Sequence, residues 1–427
     1  MIKKDDARAK RFHLCRNFSA FCRLQKNFKQ MKRRNFLKSS ALASTAFWVP
    51  NFLKGFSNAP SWSSSNGKNL IIIQLSGGND GLNTIIPYQN DLYYKYRPSI
   101  GLPKSEVLKV NDELGFNPNM NAFRELYDQG VLSIINSVGY PNPDRSHFRS
   151  MDIWHTASDS SEYLNTGWVG RYLDSDCNGC DTAYQALEMH DSLSLLMKGK
   201  ERTGFAMDSA ERLRRATDNK FLKAVAAHEH DHEHENVAYL YKTMIDTQES
   251  ADYLFEKSKA HRSKTTYPKT SFGKKLKQIA ELITADTNTR VYYTVLSGFD
   301  THANQKRKQG RLLQQYAEGV NALVKDLKRN NLLNDTLIMT FSEFGRRVKQ
   351  NGSGGTDHGT ANNLFLIGGN LKKPGFYNES PDLQNLEKND LIYQVDFRSI
   401  YATILEDWLE ADAPAVLGKS FSKLHLL

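Results

Sequence analysis

The chain has 427 residues, 39% hydrophobic and 24% charged, with a formal net charge of +10. That excess sits at one end: the first 34 residues hold twelve Lys and Arg against Asp5 and Asp6, which leaves the rest neutral. A neutral body lacks the basic face that nucleic acid requires, so a nucleic-acid partner is not expected.

Residues 1–30 carry Cys15, Cys22 and scattered basic residues without a regular period, and they read as a non-native extension ahead of a start at Met31. Met31-Lys32-Arg33-Arg34-Asn35-Phe36-Leu37-Lys38 then leads into a mildly apolar run from Ala41 to Leu53. A basic stretch before an apolar segment too short to cross a bilayer is the pattern of a signal sequence, and Ser, Thr and Pro within the run argue against a stable membrane span. The Arg pair before Phe-Leu-Lys resembles the twin-arginine motif. Residues 31–60 are therefore expected to direct export through the twin-arginine translocase, with a periplasmic or secreted destination and small residues near Ser57-Asn58-Ala59 suited to cleavage.

Residues 68–427 read as one large α/β domain, and the chain shows no internal repeat. Asn69 to Leu75 is a short run rich in β-branched residues, the signature of a buried strand; Val131–Val138, Val291–Leu296, Thr336–Phe341 and Leu364–Ile367 are similar. Asn119 is placed to cap a helix with Met120, Phe123 and Leu126 on one face, and Phe272 to Ile283 has the same spacing. Strands alternating with helices predict a mostly parallel sheet covered on both sides. The stretch at about 180–265 is charged and helical, and reads as an insertion. Cys177-Asn178-Gly179-Cys180 reads as a turn or local disulfide, since a zinc site needs further ligands. The run His228-Glu-His-Asp-His-Glu-His-Glu235 reads as a solvated loop outside the active site, although His residues one helical turn apart can chelate a metal.

The informative polar residues follow the strands. Ser76-Gly77-Gly78-Asn79-Asp80 comes after the first, Asp144-Arg145-Ser146-His147 after the second, Asp300-Thr301-His302 after the third and Ser342-Glu343-Phe344-Gly345-Arg346-Arg347 after the fourth, while Thr356-Asp357-His358 precedes the fifth. In an open α/β sheet the ligand crevice lies at the carboxyl ends of the strands. Gathering Asp80, Asp300, His302, Glu343, Asp357 and His358 there would be costly unless a cation neutralised them. A divalent ion is expected, with Zn, Mn, Fe, Ca or Mg compatible with mixed oxygen and imidazole ligands. The alternative is that these residues serve as caps and turns.

The segments Leu75–Thr84, Asp144–Phe148, Thr166-Gly-Trp-Val-Gly-Arg171 and Ser342–Arg347, with Gly352-Ser-Gly-Gly-Thr-Asp-His-Gly-Thr360, resemble the domain-of-unknown-function family fifteen-oh-one over most of residues 69–410. That family is similar, more distantly, to the alkaline phosphatase and sulfatase superfamily. The resemblance implies a three-layer sandwich around a mostly parallel sheet. It also implies an exported, metal-dependent hydrolase of phosphate or sulfate esters, with a small anionic ester as substrate. Carried over by position, Asp80 is the first metal ligand, Ser146 the nucleophile, Asp300 and His302 a later ligand pair and His358 the final His. His147 is a ligand or general acid, Arg145 joins the catalytic group, and Asn79, Arg346 and Arg347 are candidates to hold the ester. Ser342-Glu343 departs from the Asp-His pair usual in the superfamily, and the Asp300/His302 spacing is short, which puts a two-metal mechanism in question. A second reading follows: an exported protein that keeps the fold and an anion or metal pocket without turnover.

Overall fold

A computed structural model describes residues 67–176, 182–218 and 235–427. The signal segment, Cys177, Cys180 and the histidines of 228–234 lie outside the described residues. The chain divides into two units, the larger comprising residues 51–228 and 242–427. All that follows concerns this unit, apart from the first residues of one helix that begins at Glu235.

Nine strands form its central sheet: β1 (Asn69–Ser76), β2 (Leu132–Gly139), β3 (Ala186–Glu188), β4 (Phe205–Ala206), β5 (Val291–Ser297), β6 (Thr336–Phe341), β7 (Asn362–Ile367), β8 (Gly375–Phe376) and β9 (Val395–Asp396). The order is β8-β2-β7-β6-β1-β5-β3-β4, with β9 also paired to β2. β1 runs parallel to both neighbours, Leu70 opposite Val291 and Asn69 opposite Thr336. β7 is reversed, antiparallel to β2 and β6.

The pleat of β1 explains the layers. Alternate residues of a strand face opposite sides, so Ile71, Ile73 and Leu75 pack under one set of helices while Leu70 and Ile72 pack under another. Helices α1 (Asn121–Asp128), α4 (Ser271–Thr284) and α5 (Gln305–Arg329) cover the first side, contributing Phe123, Leu276 and Val320. The second is covered by α2 (His147–Thr156), α3 (Trp168–Asp176) and α6 (Phe397–Thr403), contributing Trp154, Val169 and Tyr401. This is the three-layer, mostly parallel α/β architecture expected from the alternation of elements. Truncating a core residue such as Ile72 to Ala would cost about 2–5 kcal/mol.

Two local expectations differ. Asn119 does not cap α1; its Nδ2 donates to Asn117 Oδ1 at 2.8 Å, and the helix starts at Asn121 without a side-chain cap. The stretch at about 180–265 does contain helices, Ala210–Thr217 and Glu235–Ala260, but it also supplies β3 and β4, which extend the sheet beyond β5. Strands of two or three residues are too short to show an alternation.

The reversal of β7 positions the site. Loops following parallel strands all open at one edge of the sheet. Because β7 runs the other way, the loop that precedes it returns to the same edge, bringing Asp357 and His358 beside the loops that follow β5 and β6.

Candidate metal centre

The loops after β1 and β5 touch because of a glycine. Gly77 has φ +117°, and a Cβ there would stand 2.3 Å from the Asp300 amide nitrogen. The same Gly77 N–H donates to Glu343 Oε1 at 2.7 Å, which ties the loop after β6 to the other two. The loop from Ser342 to Ala361 is braced across itself, Gly345 N donating to Thr360 O at 2.7 Å and Gly359 N to Gly345 O at 2.9 Å.

Three imidazoles surround Asp300 in a common orientation. The Nδ1 of His147 faces Glu343 Oε1 at 2.9 Å, that of His302 faces Asp357 Oδ1 at 3.1 Å, and that of His358 faces the Arg145 carbonyl oxygen at 2.8 Å. Their Nε2 atoms lie 3.5, 3.0 and 3.3 Å respectively from Asp300 Oδ1. A ring nitrogen facing an acceptor keeps its proton, so in the neutral rings the lone pairs sit on Nε2. The Nε2 atoms of His302 and His358 are only 3.0 Å apart, and that of His147 is buried without a hydrogen-bond partner. Lone pairs directed at each other and at a carboxylate repel unless a cation lies among them, either a metal ion or a proton carried by one of the rings.

The donor set fits a metal ion. One atom each from His147, Asp300 and His358 lies within 4.8 Å of the other two. Imidazole and carboxylate together suit Zn, Fe or Mn, and the Glu343–His147 contact is the outer-shell partner that metal-ligating histidines commonly have. Burial works to raise the Asp300 carboxyl, but the hydrogen bond and charge of Arg346, with His358 and His302, outweigh it and hold the group at about 2. Asp357 is lowered by its Asn351 and His302 hydrogen bonds. The hydrogen bond to Glu343 raises His147, while burial lowers His358.

The other residues singled out in the sequence are placed as follows. Glu343 is fully buried and Asp357 exposed, and both orient imidazoles from behind. Arg346 is enclosed: it donates to the carbonyls of Gly78 at 2.6 Å and Thr356 at 2.8 Å, and to Asp300 Oδ1 at 2.7 Å, which makes it a brace for Asp300 with no face left for a substrate oxygen. Asp80 stands outside the cluster. Its Oδ2 is 2.6 Å from Arg97 Nη1 in a fully buried ion pair and also accepts from Gln305. Asn79 is buried and bonded to Thr84 and Gln309, each at 2.9 Å. Arg145 pairs with Asp390 and is one-third exposed, as is Arg347, whose Nη1 lies 3.9 Å from the same carboxylate. Ser146 is exposed at the N-terminus of α2 and makes no side-chain capping bond.

Sequence reasoning missed Phe344, whose ring lies 4.9 Å from that of His147 and 4.8 Å from that of His358, walling the centre. It also missed Arg97 and Gln305, which claim Asp80, and Gln74, whose amide donates to Glu343 Oε2 at 3.4 Å. Phe344 was readable within its Ser342–Arg347 motif; no local signal links the other three to their partners.

The chain belongs to the family described as protein of unknown function (DUF1501), which matches residues 67–410. No curated protein matches it. Among solved structures it is similar to a phosphonate monoester hydrolase from Silicibacter pomeroyi, at 10% identity over 84% of this chain and 78% of that one, with a TM-score of 0.36. A protein in the alkaline phosphatase superfamily from Vibrio parahaemolyticus is similar at 10% identity, 81% and 71% coverage and a TM-score of 0.33. A lipoteichoic acid synthase from Listeria monocytogenes gives 12%, 77%, 72% and 0.31. Likenesses this distant leave the architecture to rest on the sheet described above.

Proposed function

We propose that this member of the family is an exported, metal-dependent hydrolase of phosphate or sulfate esters. The observation that supports it most directly is the convergence of three imidazole Nε2 atoms on Asp300 Oδ1 at 3.0 to 3.5 Å, each ring held from behind by an acceptor. His147, Asp300 and His358 would hold a divalent ion, with His302 beside them. Such an ion would supply Lewis acidity for the ester oxygens and would favour ionisation of a nearby hydroxyl.

The remaining work falls to side chains around the centre. Ser146 directly precedes His147, and its own N–H is held by Asp144 Oδ1 at 2.6 Å. Its hydroxyl is the candidate nucleophile: the Oγ–phosphorus or Oγ–sulfur bond forms as the ester bond breaks, the Oγ proton passing through solvent to the departing alkoxide, and water then cleaves the Oγ–phosphorus or Oγ–sulfur bond, releasing the acid and returning the proton to Oγ. The N-terminus of α2 offers backbone N–H groups to the anion. Arg145 and Arg347, one-third exposed beside Asp390, are the candidates to receive its oxygens. The orientation of His147 favours a ligand over a general acid. Export through the twin-arginine translocase to a periplasmic or secreted location is part of this reading, supported by Arg33-Arg34 and the apolar run after it. No helix among the described residues is long and apolar enough to cross a membrane.

A second reading, binding without turnover, is favoured by one observation: the position carried over as the first metal ligand, Asp80, is committed to Arg97. Elemental analysis of the purified protein, wild type and His147→Ala/His358→Ala, separates the possibilities. Near-stoichiometric metal that disappears in the variant supports the centre, and phosphate and sulfate esters assayed with wild type and Ser146→Ala then test turnover. Protein that stays metal-free after incubation with Zn, Mn, Fe, Ca and Mg ions sinks the hydrolase reading.

A further inference from the structure

Apart from the centre, a second cavity of about 460 Å³ lies on the β5/β3 side of the sheet, with the buried pair Gln74 and Glu343 between the two. Its wall is linked to the centre in two ways. Gln74 lines it and also donates to Glu343, the residue that holds His147. On α2, His147, Met151 and His155 are spaced four apart and so form one stripe; the stripe starts at the centre, and its last two members line the cavity. The volume falls within the range of small-molecule sites.

The chemistry of the lining is specific. Glu188, only 4% exposed, lines the cavity from the end of β3. Its Oε2 accepts from the Ser194 backbone N–H at 2.7 Å, a small part of what a carboxylate can accept. The Ser194 hydroxyl beside it is buried with no hydrogen-bond partner of good geometry. Lys275 lines the same space, close enough to act electrostatically on Glu188. Burial holds the Glu188 carboxyl up at about 7, so near neutrality it can donate as well as accept, while the Lys275 ammonium disfavours a wholly cationic ligand. A neutral ligand with many hydroxyls satisfies both, each hydroxyl donating to the carboxylate or amide oxygens and accepting from the ammonium. Phe272 and Met151 add an apolar surface for a carbon-hydrogen face.

We infer that this cavity binds a neutral polyhydroxylated molecule, a sugar or cyclitol ring, anchored by Glu188 and Lys275. Binding there needs no metal, so this inference and the hydrolase reading can fail separately. Saturation-transfer NMR on the full chain stripped with a chelator, against glucose, galactose, N-acetylglucosamine and myo-inositol, is the test. At least one of the four should saturate the wild type, with affinity reduced tenfold or more in Glu188→Gln. Ser297→Trp, at the exposed rim, should block the cavity without touching the core, and it keeps the test valid if the Glu188 variant folds poorly. Absence of saturable binding by all four in the wild type, or binding that survives Ser297→Trp unchanged, overturns the inference whether or not the protein binds metal.

Discussion

His155 and Glu188, both lining the second cavity, place opposite demands on stability as pH changes. Burial pushes His155 down to about 4 from an ordinary 6.5, and pushes Glu188 up to about 7 from 4.5. The depressed His contributes stability that is full above pH 6.5 and is lost as pH falls toward 4, because the unfolded chain binds the proton first. The raised Glu contributes stability that is full below pH 4.5 and is lost as pH rises through 7, because the unfolded chain releases its proton first. At about 1.4 kcal/mol per tenfold change, each group accounts for roughly 3 kcal/mol. Between pH 4.5 and 6.5 the two slopes oppose and largely cancel. Removing one exposes the other: His155→Gln should lose stability as pH climbs from 4.5 to 7, and Glu188→Gln should gain it over the same interval. For a domain this long, roughly 2 °C per kcal/mol gives a divergence between the two variants of about 10 °C in Tm across the window. Thermal unfolding followed by circular dichroism at half-unit pH steps would measure it. Variant profiles that stay parallel to the wild type throughout would refute the assignment of these groups as buried and oppositely shifted.

Asp80→Asn should leave Arg97 buried without its counter-charge and destabilise by about 3–5 kcal/mol in denaturant titrations, with metal content unchanged; metal lost at unchanged stability would return Asp80 to the ligand set. Gly77→Ala must move the Asp300 loop, since its Cβ would stand 2.3 Å from the Asp300 nitrogen at φ +117°, and should lower stability by about 1–3 kcal/mol while lowering metal affinity in a chelator-competition titration. Asp357→Ala frees the His302 imidazole at an exposed position, so a shift of less than 3 °C in Tm is expected, with weaker metal retention on dialysis; full retention would remove His302 from the centre.

The sheet was legible because its long strands announce themselves. Asn69–Ser76 holds the unbroken apolar run Leu70–Ile73, as a strand buried on both faces requires, and the runs at 131–138, 291–296 and 336–341 match observed strands to within a residue or so. The reversal of β7 was not legible, since its direction is set by pairing with β2, more than 200 residues away, and with β6 across a loop far longer than a hairpin turn. The site was visible as a set of polar loops, and Asp300, His302 and His358 do meet there with His147. What local reasoning could not supply was the difference between a ligand and its support. Glu343, Asp357 and Arg346 carry the same charges that a ligand or a substrate clamp would carry, and only their partners place them behind the imidazoles. Asp80 shows the same limit: Arg97 and Gln305, which bind it, lie 17 and 225 residues away.

The self-braced loop between β6 and β7 has a consequence for how the centre assembles. Its two ends enter neighbouring strands, so joining Arg346 to His358 in their β-bridge closes a loop of about a dozen residues. Bringing His147 to the same place closes about two hundred. Since closure entropy grows as the logarithm of length, the longer loop costs roughly 2.5 kcal/mol more, and that cost is met only when the sheet between them is complete. The half of the proposed centre that carries His358 can therefore take shape early from local contacts, whereas the half that carries His147 waits for the whole domain, so a metal bound there would report on finished folding rather than help to start it.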